Sequence, residues 1–112
     1  MVAGNYIPRK GDIVWLNFTP QAGSEQRGHR PALVVSSTDY NRSGLMLACP
    51  ITSKVRGYPF EIPVKAGKIE GAVLADHVKN QDWRAREVQY ITKAPAGALK
   101  ATQQIIALLL TQ

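Results

Sequence analysis

Little of the usual catalytic equipment is present in this chain. Cysteine occurs once, at Cys49, which excludes an intramolecular disulfide and a cysteine-based structural zinc site. Histidine occurs twice, as His29 and His77, far apart and without a carboxylate cluster, so no metal and no other cofactor is expected. The phosphate loops G-x-x-x-x-G-K-[ST] and G-x-G-x-x-G are missing, as are H-E-x-x-H and the nucleophile elbow G-x-S-x-G. No apolar run reaches the roughly 18 residues of a membrane span, and no charged leader precedes an apolar segment. Nor is there a block of like charges to serve as a basic tail. The expectation is a cytoplasmic protein without membrane association.

Positive charge is what the chain has in excess. Fourteen Lys and Arg against eight Asp and Glu give +6 over 112 residues, which favours polyanionic partners. The cations stand singly, at Arg27, Arg30, Arg42, Lys54, Arg56, Lys79, Arg84 and Arg86. Only folding can make them converge. The length suits one domain, residues 1–112, with one core.

The pattern is mainly β with a C-terminal helix. Asp12 to Phe18 is rich in strand formers, and Pro31 to Ser36 is a continuous apolar run suited to a strand buried on both faces. Leu45 to Ile51 reads as a third strand, with Pro50 limiting its pairing. Phe60 to Lys65 alternates with period two, and Gly71–Ala75 and Val88–Thr92 are shorter candidates. Between these last two, the polar stretch 76–86 predicts a helical turn around Gln81-Asp82-Trp83. Pro20 to Gly28 is a long polar loop and Thr38 to Ser43 a polar connection. After Pro95, Leu99, Thr102, Ile106, Leu109 and Leu110 fall near one helical face. Strands closed by one helix predict a small barrel or rolled sheet.

The polar groups concentrate in Gly23-Ser24-Glu25-Gln26-Arg27-Gly28-His29-Arg30-Pro31-Ala32. Arg30 stands at the edge of a rigid strand, where a planar guanidinium can grip two phosphate oxygens; a surface pair with Glu25 is the alternative. Thr52 closes the third strand, as a phosphate-binding hydroxyl or as a turn former. Cys49, in an apolar strand, reads as a buried inert thiol. Of the aromatics, Trp83 with Arg84 and Arg86 is the group best placed for stacking on bases, while Trp15, Tyr58 and Phe60 suit the core.

Taken together, Gly11-Asp12-Ile13-Val14-Trp15, the Gly23–Ala32 element, Pro50-Ile51-Thr52, Gly57-Tyr58-Pro59-Phe60-Glu61, Leu74–Lys79 and Trp83–Arg86 resemble the MazF/PemK family of toxin endoribonucleases. The likeness runs from about residue 8 to residue 110. It implies an SH3-like small β-barrel that acts as a homodimer and cuts single-stranded RNA without a metal. The 2′-hydroxyl would attack the adjacent phosphate, leaving 2′,3′-cyclic phosphate and 5′-hydroxyl ends. On this resemblance the catalytic residues fall at Arg30 and Thr52, and the loop glutamate at Glu25. Candidate substrate contacts are Gln26, Arg27, His29, Ser53 and Arg56, followed by His77, Lys79, Trp83 and Arg84.

The resemblance further implies an acidic, MazE-like antitoxin whose flexible tail covers the RNA groove, with promoter DNA engaged only through that partner. Arg30 is assigned mainly to charge stabilisation, because a guanidinium is a poor acid near neutral pH, with proton donation as the alternative; His29 is a titrating candidate beside it, at a position where other members carry non-titrating residues. His77 stands where the best-known member has glutamine, and Ser53-Lys54-Val55-Arg56 also departs from it, so the cut motif does not carry over. Two other functions fit the same fold: a gyrase poison, which usually ends in an aromatic where this chain has Leu110-Thr111-Gln112, and a non-catalytic RNA-binding or repressor barrel.

Overall fold

The computed structural model describes residues 5–17 and 29–112, with His29 described in its backbone alone. The strands are β1 (Asp12–Asn17), β2 (His29–Val34), β3 (Leu45–Thr52), β4 (Glu61–Ala66), β5 (Ile69–Leu74), β6 (Lys79–Asp82) and β7 (Gln89–Lys93). Two helices accompany them, α1 (Thr38–Asn41) and α2 (Ala96–Thr111), and a 3-10 turn covers Ala75–His77. Every strand pairing is antiparallel, in the order β4-β5-β3-β2-β1-β7, with β6 also on β3. This is the rolled, mainly β architecture with a C-terminal helix that the sequence predicts.

β3 explains the roll. One edge pairs with β2 through Ala32–Pro50, Leu33–Cys49 and Val34–Ala48. The other edge pairs first with β6, from Leu45–Asp82 to Ala48–Lys79, and then with β5, through Ile51–Val73 and Thr52–Ala72. Cys49 and Pro50 stand at the handover, where proline has no N–H to leave unpaired. The Ala75–His77 turn carries the chain across this gap from β5 to β6.

Alternation then builds a core on each face of the sheet. Ile13, Leu33, Cys49, Ile51 and Val73 pack on one side, against α2 residues Ala98, Leu99 and Ile106. Val14, Leu16, Ala32, Val34, Met46 and Ala48 pack on the other, around Trp83 and Val88. β2 is therefore covered on both faces, as its unbroken apolar run requires. Asp12 fastens the chain before β1: its buried carboxylate accepts from Tyr6 Oη at 2.6 Å, Arg9 N at 3.0 Å and Lys93 Nζ at 2.9 Å. Burial, and then this bond to Asp12, raise the Tyr6 phenol well above its ordinary range.

Four expectations need correction. The segment 79–82 is strand β6, not a helical turn; main-chain bonds to β3 hold it despite its polar sequence. Thr38–Asn41 is a helical turn, capped by Ser37 Oγ, which accepts from Tyr40 N at 3.2 Å. α2 outlasts its sheet, so Leu109 and Leu110 are 43% and 79% exposed instead of sharing the buried stripe. Trp83 is 5% exposed and belongs to the core. Its indole N–H donates to Asn41 O at 2.8 Å.

Asn41 is itself fully buried, donating to Pro8 O at 2.8 Å and accepting from Ser36 Oγ at 2.5 Å. Removing the indole leaves both a large void and a buried carbonyl without its donor. Trp83→Ala is expected to cost about 3–5 kcal/mol of stability in urea unfolding. A loss below about 1 kcal/mol with weakened RNA binding would return Trp83 to the surface role.

Candidate active site

Two cavities adjoin on the face where β3 changes partners. The first, about 300 Å³, is lined by Arg30, Ala32, Ala48 and Pro50, with Leu74, His77, Lys79 and Gln81 along one side and Leu16 beneath. The second, about 490 Å³, is lined by Thr52, Lys54, Arg56 and the Tyr58–Glu61 segment, with Leu74, Asp76 and His77. Leu74 and His77 belong to both. The cavities therefore meet at the turn that spans the gap in β3.

Local structure explains how Arg30 and Thr52 come to line adjoining cavities. Arg30 follows the even positions of β2, Ala32 and Val34, onto the face shared with Leu16. The β2–β3 register ends at Ala32–Pro50; carried two residues further it reaches Arg30 and Thr52. Arg30 is exposed, so its guanidinium is accessible to a ligand. Thr52 Oγ1 accepts from Lys54 N at 3.0 Å. The hydroxyl thus does form a turn, and that same bond orients it while leaving its hydrogen to donate. The two readings of Thr52 are compatible.

The loop after Thr52 is folded by one carboxylate. Glu61 accepts from Arg56 N at 3.1 Å and from Gly57 N at 2.8 Å. Gly57 at φ +81° supplies the left-handed backbone needed to present two successive N–H groups to it. Lys54, Arg56 and Tyr58 are held along the second cavity as a result. His77 is partly exposed, with Nε2 3.8 Å from Asp76 Oδ1. Below it the Cys49 thiol is pushed up to about 12, chiefly by burial and then by Asp76, which keeps it a neutral packing group.

Of the residues singled out from sequence, the structure brings together Arg30, Thr52, Arg56, His77 and Lys79. Glu25, Gln26 and Arg27 lie outside the described residues. His29 is placed through its backbone pairing with Asn17, and its side chain is likewise outside them. Ser53 is exposed beside Thr52, outside both cavities. Trp83 faces the core, and Arg84 lies over its ring at 4.9 Å, away from both cavities. Sequence reasoning assigned Tyr58 to the core, yet it is 58% exposed and lines the second cavity. Its position between Gly57 and Pro59 was the available signal, since such flanks belong to loops. Gln81, buried against the first cavity, had no comparable signal.

Comparisons with known proteins place the chain as a whole. A family model described as PemK-like, MazF-like toxin of type II toxin–antitoxin system matches residues 9–110. The chain is 45% identical over 86 residues to the endoribonuclease toxin MazF of Escherichia coli K12, covering 76% of this chain and 78% of that protein. It is 37% identical over 83 residues to the endoribonuclease toxin ChpB of the same strain, covering 69% and 72%. A MazE–MazF crystal structure from Deinococcus radiodurans matches with a TM-score of 0.88 at 50% identity, covering 95% of this chain and 97% of that one. With the match spanning nearly its whole length, the chain belongs to the PemK-like, MazF-like toxin family of type II toxin–antitoxin systems.

Proposed function

We propose that this toxin is an endoribonuclease that cuts single-stranded RNA where its two cavities meet. The observation that carries the reading is the junction itself, with Arg30 in one cavity, Thr52 in the other, and shared walls between them. Relatives that share this fold at 37–45% identity are named endoribonuclease toxins.

Arg30 meets the charge that develops on the equatorial oxygens when the 2′-oxygen attacks phosphorus. Thr52 donates its hydrogen to one of those oxygens and fixes the phosphate for in-line attack. Lys54 and Arg56 on one side, and Lys79 on the other, hold the flanking phosphates. Tyr58 offers a stacking surface for an unpaired base. The products are a 2′,3′-cyclic phosphate and a 5′-hydroxyl, and no step calls for a metal.

The same cationic groove attracts carboxylates, which suits an acidic, MazE-type antitoxin. The Deinococcus structure pairs MazF with MazE. The working form is a cytoplasmic homodimer, inactive while the antitoxin covers the groove.

The test is cleavage of a mixed-sequence RNA by purified protein in EDTA, with mapping of the new ends. Cuts are expected at a restricted set of sequences, all with 5′-hydroxyl ends. Strict dependence on added Mg²⁺, or 5′-phosphate ends, would overturn the mechanism; binding without cutting would favour the repressor-like alternative.

A further inference from the structure

We infer that Gln81 determines base specificity, its side-chain amide pairing with an adenine or cytosine next to the cut. This rests on the function proposed above and adds to that site a residue that selects the substrate and takes no part in the bond-making steps.

The amide is conspicuous because nothing in the fold uses it. Five polar or charged residues are buried among the described ones: Asp12, Ser36, Asn41, Gln81 and Thr102. Four have side chains that are bonded. Asp12 accepts from Tyr6 and Lys93, Ser36 donates to Asn41, and Thr102 Oγ1 donates to Ala98 O. The Gln81 side chain is 8% exposed and has no hydrogen-bond partner among the described residues. Buried amides are rarely left in that state, because an unmet group forfeits the bonds it would make in water. β6 sets its direction. Lys79 and Gln81 pair with Ala48 and Met46, so both side chains lie on the sheet face that carries Arg30. All three line the cavity of about 300 Å³.

That cavity has the chemistry of a base pocket beside a phosphate. Leu16, Ala32, Ala48 and Pro50 give it apolar walls for the faces of a base. Arg30 and Lys79 only donate hydrogen bonds, as phosphate oxygens require. Neither can receive the amino group of a base. The Gln81 oxygen can, while its nitrogen donates in the same plane. Adenine and cytosine each set an exocyclic amino donor beside a ring-nitrogen acceptor, the complement of this amide. Unpaired RNA exposes those edges to a protein.

The experiment first maps the cut motif of wild type and Gln81→Leu on mixed-sequence RNA. Wild type should prefer adenine or cytosine at one position next to the cut, and Gln81→Leu should lose that preference alone. kcat/KM is then measured on the best-cut sequence, and on the same RNA with that base replaced by its analogue lacking the amino group. Wild type should cut the analogue about 10- to 100-fold more slowly, whereas Gln81→Leu should cut the two within about threefold of each other. Each ratio is taken within one protein, so the folded fraction cancels. The urea midpoint of Gln81→Leu should match or exceed that of the parent, because the change removes a buried amide without a partner. No amino-base preference in wild type, an unchanged motif in the variant, relaxation spread over every position, an equal penalty in both proteins, or a clear fall in midpoint would each overturn the assignment. Arg30→Ala run alongside keeps the two readings apart. Parent-level cleavage by that variant would remove the proposed site as a whole; an inactive Arg30→Ala beside an unchanged Gln81→Leu motif would remove Gln81 alone.

Discussion

Arg30→Ala, folded like the parent, is expected to cut single-stranded RNA about 10³-fold more slowly at saturating substrate. Two effects of unequal size are involved. Taking one positive charge from a chain of net +6 weakens attraction for RNA, an effect that salt screens and extra substrate overcomes. Losing the donor aimed at the developing charge on the phosphate persists at saturation; removing one such group commonly costs about 10²–10³, and a transition-state arginine about 10³–10⁵. The defect should therefore lie in kcat and stay nearly constant with salt. Lys68→Ala, which deletes the same charge at an exposed position between β4 and β5, should leave kcat within about twofold. Equal kcat values for Arg30→Ala and the parent would remove Arg30 from the chemistry.

Gly71→Ala should damage stability and activity together. A Cβ placed on Gly71 would lie 2.1 Å from Thr52 O, 2.9 Å from Thr52 C and 3.2 Å from Ser53 Cα. All three are main-chain atoms, so no rotamer change relieves the overlap. β5 must move off β3 at the Thr52–Ala72 pair, which strains or breaks their hydrogen bonds and shifts Thr52. The cost should be about 3 kcal/mol, at the upper end for overpacking, read as a fall in the urea midpoint. Cleavage under native conditions should fall further than the unfolded fraction explains, because a displacement of about 1 Å at a positioning group can cost about 10² in rate. Stability within about 0.5 kcal/mol of the parent would show that the strands do not approach so closely.

Both predictions rest on features of different legibility. The strands that form the cores were readable, because alternation in Phe60–Lys65 and the unbroken apolar run at Pro31 fit strands of a small sheet and little else. The pairing of Arg30 with Thr52 came from resemblance, and spacing alone left each open. β6 was not readable: Lys79-Asn80-Gln81-Asp82 contains no strand former, and it is a strand because β3 offers a free edge. Trp83 misled because an aromatic between polar residues looks the same whether it stacks on a base or closes a core. Only the packing of Asn41 and Val88 around it decides. The leucines at the end of α2 follow the helical period faithfully, but no sequence pattern says where the sheet beneath them stops. The meeting of two cavities at His77 depends on the β3 handover, a tertiary fact without a local signature.

The handover has one more consequence. A strand bonded along both edges is among the last segments to open, so the floor carrying Thr52 shares the stability of the whole fold. Silencing this enzyme by bending that floor would mean unfolding much of the protein. A reversible inhibitor is thereby confined to occupying the groove, and its release restores a site that never had to be rebuilt.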